Sequence, residues 1–168
     1  MLLLVAGAGL WVYLHRRAVR NRTRSVASAC GAPLPDLHGS AVAMAQSAPF
    51  LTVEQLLRLP APKATAVYRV QARLLQYSLV GQQYRIRLSS LVSPRLTVTA
   101  FLPAGSCAPN HDDGALYDEL REDLNLQFGP ATTQGVALPQ PPQIVVTGIP
   151  SLGPDGLQLR PVLDLKVQ

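Results

Sequence analysis

The sequence predicts a mainly β domain, and three observations carry that reading. Between residues 65 and 168, five apolar runs alternate with the period of two that strands require. One further run, Asp112–Phe128, instead spaces its apolar residues at helical intervals. The order is three strands, the helix, then two strands. That β-β-β-α-β-β sequence is the element order of an OB-like five-stranded closed barrel, with an apolar N-terminal stretch before it read as an anchor helix.

Met1–Leu14 carries no charge. Fourteen helical residues reach about 21 Å, against about 30 Å of hydrocarbon core. The stretch fits the apolar part of a signal peptide or a short membrane anchor, with Trp11 and Tyr13 suited to the interface. Residues 1–24 are therefore read as a signal or membrane-anchor segment with a basic flank, and the membrane as their partner. The flank complicates the address. Arg16, Arg17, Arg20, Arg22 and Arg24 follow the apolar stretch, whereas a secretory signal carries its basic residues before it. The positive-inside rule would leave the rest of the chain in the cytoplasm. A start upstream of Met1 would supply both the missing length and a basic leader. Two addresses follow: a membrane-anchored or exported protein with its domain outside the cytoplasm, or an anchored protein with the domain on the cytoplasmic side.

Residues 25–63 read as a linker and a short helix. Gly31–Pro49 is rich in Ala, Pro and Gly and lacks a clear period. Thr52-Val53-Glu54-Gln55 matches a capping box, and Pro60 and Pro62 stop the helix it opens.

Residues 64–168 read as the barrel. In Ala66–Tyr77, Tyr68, Val70, Ala72 and Leu74 share one face and Arg69, Gln71 and Arg73 the other. Gly81 turns the chain into Gln83–Ser89, where Tyr84, Ile86 and Leu88 oppose Arg85 and Arg87. In Arg95–Leu102, Leu96, Val98, Ala100 and Leu102 oppose Thr97, Thr99 and Phe101. Leu116, Leu120 and Leu124 give the helix one apolar stripe, and Gly129-Pro130 stops it. Pro130–Pro142 reads as an exposed loop. Gln143–Ile149 and Leu157–Val167 close the chain, with Pro161 marking an edge or a bulge in the last strand.

The net charge of +5 belongs to the N-terminal arm. Residues 30–168 hold ten basic and ten acidic residues and are neutral overall, which weakens the inference from basic pI to nucleic acid. The charges are nevertheless sided: arginines lie on the strands and Asp112, Asp113, Asp118, Glu119, Glu122 and Asp123 on the helix region. The outer wall of the first three strands then offers Arg69, Arg73, Arg85 and Arg87, with Phe101 and Tyr77 as stacking rings, as a binding surface for an anionic ligand. Plain solvated surface is the competing reading.

Cys30 and Cys107 are the only cysteines. They admit a disulfide, two buried free thiols or a reactive thiol, in that order. They are too few for a structural zinc site, and the histidines His15, His38 and His111 are scattered, so no metal site is assigned. No GxSxG, HExxH, CxxC or P-loop motif occurs, and neither a catalytic residue nor a cofactor is assigned.

The second, third and last strands resemble a family of uncharacterised exported bacterial proteins with an OB-like domain. Its motifs are a Tyr-His pair, an Ile-Ala-Glu-x-Pro-x-Pro-x-Cys stretch, a Val-Thr-Gly strand and a closing Glu-Leu-His-Pro-Val. The matching stretches here are Gln83-Tyr84-Arg85, Val98-Thr99-Ala100-Phe101-Leu102-Pro103 leading to Cys107, Val146-Thr147-Gly148, and Gln158-Leu159-Arg160-Pro161-Val162. Cys30 matches an upstream family cysteine. The resemblance implies export and a Cys30–Cys107 disulfide. Both family histidines are arginine here, which removes any metal site they would make and leaves groups suited to phosphate or carboxylate.

The functional expectation is a non-catalytic, membrane-associated or exported OB-like binding or scaffold domain. Its partner would be an anionic ligand such as a polyanion, or a protein. A module for single-stranded nucleic acid is the second reading, and a small-molecule ligand is disfavoured.

Overall fold

The computed structural model describes residues 29–168 except residues 39 and 61–64. The expected anchor helix, its basic flank and the first residues of the expected linker lie outside the described residues. Among the described residues, no helix is long and apolar enough to cross a membrane.

The chain runs through helix α1 (Ala41–Ser47), strand β1 (Phe50–Thr52), helix α2 (Val53–Leu57) and strands β2 (Tyr68–Val80), β3 (Gln83–Ser89) and β4 (Thr97–Pro103). A 3-10 turn (Gly105–Cys107) leads into helix α3 (His111–Phe128), followed by β5 (Val136–Ala137), β6 (Gln143–Gly153) and β7 (Gly156–Val167). The five long strands and the long helix sit where periodicity expects them. Two short strands, β1 and β5, are additions, and both pair with β2. α1 is a further addition in the expected linker. Its Ala41 and Ala45, with Leu37 before it, enter the core, and alanine-rich composition gave that contact little sequence signal.

The sheet is mixed and seven-stranded. Antiparallel pairing joins β2 to β3 and β3 to β4, a parallel pairing joins β4 to β7, antiparallel pairing joins β7 to β6, and β6 pairs back onto β2. Buried faces from these strands meet α2 and α3 in one core, including Val70, Leu74, Ile86, Leu102, Ile144, Leu159, Val53 and Leu124.

Local chemistry explains the ends. Thr52 and Gln55 complete the capping box of α2, and Val53 and Leu56 bury fully. Asn110 caps α3 by accepting from the Asp113 amide at 2.8 Å. Gly81, at φ +60°, makes the β2–β3 turn, where a side chain would also strike the Ala29 carbonyl. Opposite Pro161, the β6–β7 register shifts twice near Gly148, the irregularity a mid-strand proline demands.

Several side chains depart from the expected faces. Tyr77, expected on the outer wall, is fully buried. The β2–β3 register shifts between Leu74 and Gln76, so the inward set passes from even positions (Val70, Ala72, Leu74) to odd ones (Tyr77). One inserted residue is enough to exchange the two faces of everything beyond it. The Tyr77 hydroxyl donates to the Gly129 carbonyl at the end of α3. Burial raises its pKa, with Tyr84 adding to the effect. Asp113, expected among solvated helix charges, is also fully buried, and its Oδ2 accepts from the Leu37 amide (3.0 Å) and Asn110 Nδ2 (2.7 Å). Leu96 and Val167, expected inward, are exposed because they stand at or beyond strand ends.

A disulfide joins Cys30 to Cys107. It is one of several ties that bind the segment before α1 to the sheet. Arg160 donates through Nη2 to the Cys30 and Ala32 carbonyls, each at 2.6 Å, and through Nε to Gln83 Oε1 at 3.2 Å. Desolvation lowers the Arg160 pKa, as expected for a guanidinium half removed from water, and Tyr117 opposes the shift. The Gln82 amide donates to Ala29 O at 3.0 Å.

Candidate functional site

The outer face of β2, β3 and β4 is read through its cross-strand register. The two-residue turn at Gly81-Gln82 sets Ser78 opposite Arg85 and Gln76 opposite Arg87. Across the next boundary, Arg85 stands opposite Phe101 and Arg87 opposite Thr99. Thr99 in turn stands opposite Gln158 of β7. Two rows of side chains therefore cross the wall: Ser78–Arg85–Phe101, and Gln76–Arg87–Thr99–Gln158.

These rows form the floor of a groove of about 480 Å³. The tip of the β6–β7 hairpin, with Asp155 and Gly156, closes one side, and Thr133 and Gln134 of the loop after α3 contribute to another. Asp155 Oδ2 lies 3.7 Å from Arg85 Nη2, with both side chains open to water (83% and 49% exposed). Such a pair is worth little and opens at small cost. Arg87 is exposed and makes no ion pair among the described residues. Phe101 is half-buried, its ring forming part of the groove lining.

The expected site residues therefore divide. Arg85, Arg87 and Phe101 come together in the groove. Arg69 does not: its guanidinium lies 4.9 Å over the Phe50 ring and its Nε donates to Ala45 O at 3.0 Å, so it holds β1 and α1 to β2. Arg73 is exposed but stands before the register shift, outside the groove lining. Tyr77 belongs to the core.

Thr97 and Thr99, read from alternation as outward on the third strand, also line the groove, and it contains residues that the periodicity did not bring forward: Gln76, Ser78, Asp155 and Gln158. A signal for two of them was present. Counting back from a two-residue turn places Ser78 and Gln76 beside the arginines, and it places Tyr77 beside inward Ile86. Asp155 had no comparable signal, because a hairpin tip reaches the wall only through tertiary folding.

Away from the groove, Tyr117 is fully buried on α3 and its hydroxyl has no partner among the described residues. Desolvation raises its pKa strongly, Asp113 adds to the rise and Arg160 opposes it. Among the described residues, no cluster of His, Cys, Asp and Glu is arranged to hold a metal ion. No protein-family model matches the chain, and no curated protein does so either.

Proposed function

We propose that this protein is a non-catalytic binding domain, an OB-like closed barrel held at or exported beyond a bacterial membrane, whose outer wall accepts an anionic ligand. The observation that carries the reading is the pairing of Arg85 and Arg87 with Phe101 and Thr99 across β3 and β4, on the floor of a 480 Å³ groove. Two guanidiniums two residues apart on one strand point the same way and can each grip a carboxylate or phosphate. The element order and the return of β6 onto β2 support the closed barrel. The disulfide supports an oxidising compartment, and the apolar Met1–Leu14 supports the membrane. The domain's neutral net charge leaves local potential to guide the ligand.

The alternative, a module for single-stranded nucleic acid, needs successive stacking platforms. With Tyr77 in the core, Phe101 is the aromatic ring that lines the groove, which weighs against that alternative.

The test compares the parent with an Arg85→Ala, Arg87→Ala double variant, across a salt series and a panel of oligonucleotides and acidic glycans. A polyanion that binds the parent, weakens with salt and is lost by the variant fits the proposal. Unchanged binding by the variant moves the site elsewhere, and failure of every polyanion removes the anionic ligand.

A further inference from the structure

We infer that the ligand of the groove is a carboxylated carbohydrate chain, with one uronate carboxylate on Arg87, ring hydroxyls on the surrounding amides and hydroxyls, and one sugar face on Phe101. This inference rests on the groove being the binding site and names what fills it.

The charges of the groove single out Arg87. Asp155 lies 3.7 Å from Arg85 and competes with a ligand for it, whereas Arg87 has no ion-pair partner among the described residues. The phosphate oxygens of a nucleic-acid backbone accept and do not donate, so they cannot satisfy Asp155 on the rim. A uronate chain meets Arg87 with one carboxylate in a two-point grip and brings hydroxyls that can donate to Asp155.

The neutral lining points the same way. Gln76, Thr99 and Gln158 flank Arg87 along one cross-strand row, and Ser78 flanks Arg85 along the other. Amide and hydroxyl groups both donate and accept, and so do sugar hydroxyls, whereas phosphate oxygens at neutral pH mainly accept. A phosphate chain would leave many of the lining donors and acceptors without a complement once water is expelled, which costs affinity. Phe101, beside Arg85, presents one apolar face, which suits the C–H face of a single pyranose better than a run of bases.

The probes are hexagalacturonate, its methyl ester and a deca-thymidine oligonucleotide, each titrated calorimetrically against the disulfide-bonded protein. Hexagalacturonate is expected to bind and the oligonucleotide to bind more weakly. Arg87→Gln should lower hexagalacturonate affinity by about tenfold or more, the scale of a charge-assisted contact, and should leave the ester unaffected, because the ester lacks the charge that Arg87 reads. Phe101→Ala should weaken acid and ester by the same factor, since stacking does not depend on charge. Thermal melts of each variant confirm that it is folded. Failure of hexagalacturonate to bind, or tighter binding of the oligonucleotide, overturns the carbohydrate assignment. If the double arginine variant meanwhile loses the oligonucleotide, the groove stands and only its ligand class falls. If hexagalacturonate binds but neither Arg87→Gln nor Phe101→Ala weakens it, the groove itself is wrong.

Discussion

Tyr77 shows how one side chain separates core from surface in this molecule. Its ring lies 6.3 Å from that of Tyr84 and 6.4 Å from that of Phe128, and its hydroxyl closes onto Gly129 O. Tyr77→Phe removes only that hydrogen bond and should cost about 1 kcal/mol. Tyr77→Ala also leaves a cavity and should cost about 3–5 kcal/mol. Urea unfolding measures both, and ligand affinity of the folded Phe variant should equal the parent's. A loss of affinity without loss of stability would return Tyr77 to the binding surface. Its location was legible in principle. Periodicity run forward from Tyr68 sets Tyr77 outward, and pairing counted back from Gly81 sets it beside Ile86, facing inward. The conflict between the two is itself the signature of a bulge, since a regular strand cannot satisfy both.

At the scale of elements, the strap before α1 is held by covalent and polar ties together. The disulfide spans 77 residues, and the Arg160 guanidinium binds two carbonyls beside it. Opening a loop of that size frees chain entropy in the unfolded state, so a Cys30→Ser, Cys107→Ser variant should lose about 3–5 kcal/mol. Thermal unfolding of the variant, compared with the parent with and without reductant, checks this. Thiol titration of freshly isolated, denatured and unreduced protein should find no free thiol. Two thiols per chain would reject the bond in the cell and favour a cytoplasmic domain. Arg160 itself could not be read from sequence as a strap holder. An arginine on a strand reads as solvated or ligand-binding, and only tertiary folding gives it two carbonyls from residues 29–32 and a third acceptor, Gln83, from β3.

For the molecule as a whole, the shortest seam in the circuit β2-β3-β4-β7-β6 is the weak point of the sheet. β3 and β4 pair over seven positions, whereas β4 and β7 pair at two, Thr99–Gln158 and Ala100–Leu159. Parallel pairing so short relies on the packing beneath it, where Ala100 and Leu159 are fully buried. Leu159→Ala should therefore cost about 2–5 kcal/mol. In native-state hydrogen exchange, amides of β7 from Gln158 to Arg160 should open at lower free energy than those of β3. Equal protection in the two strands would mean that the seam does not limit the sheet. Because Thr99 and Gln158 also form part of the groove floor, a ligand bound there should raise protection at the seam first.

The sequence alone specifies the strand and helix order, the position of the long helix, the capping box at Thr52 and the turn at Gly81. Each depends on near neighbours in the chain: a period of two or of 3.6, a side chain reaching back three residues, or a backbone angle open to glycine. It also brought Arg85, Arg87 and Phe101 forward, because alternation on two adjacent strands is a local property. The fold settles the rest. It moved Tyr77 into the core through one bulge, gave Arg69 to Phe50 and Ala45, buried Asp113 under the Leu37 amide, and raised Asp155 against Arg85. These outcomes depend on which distant segments meet, and pairwise register and loop path set that, not the residue's own neighbours.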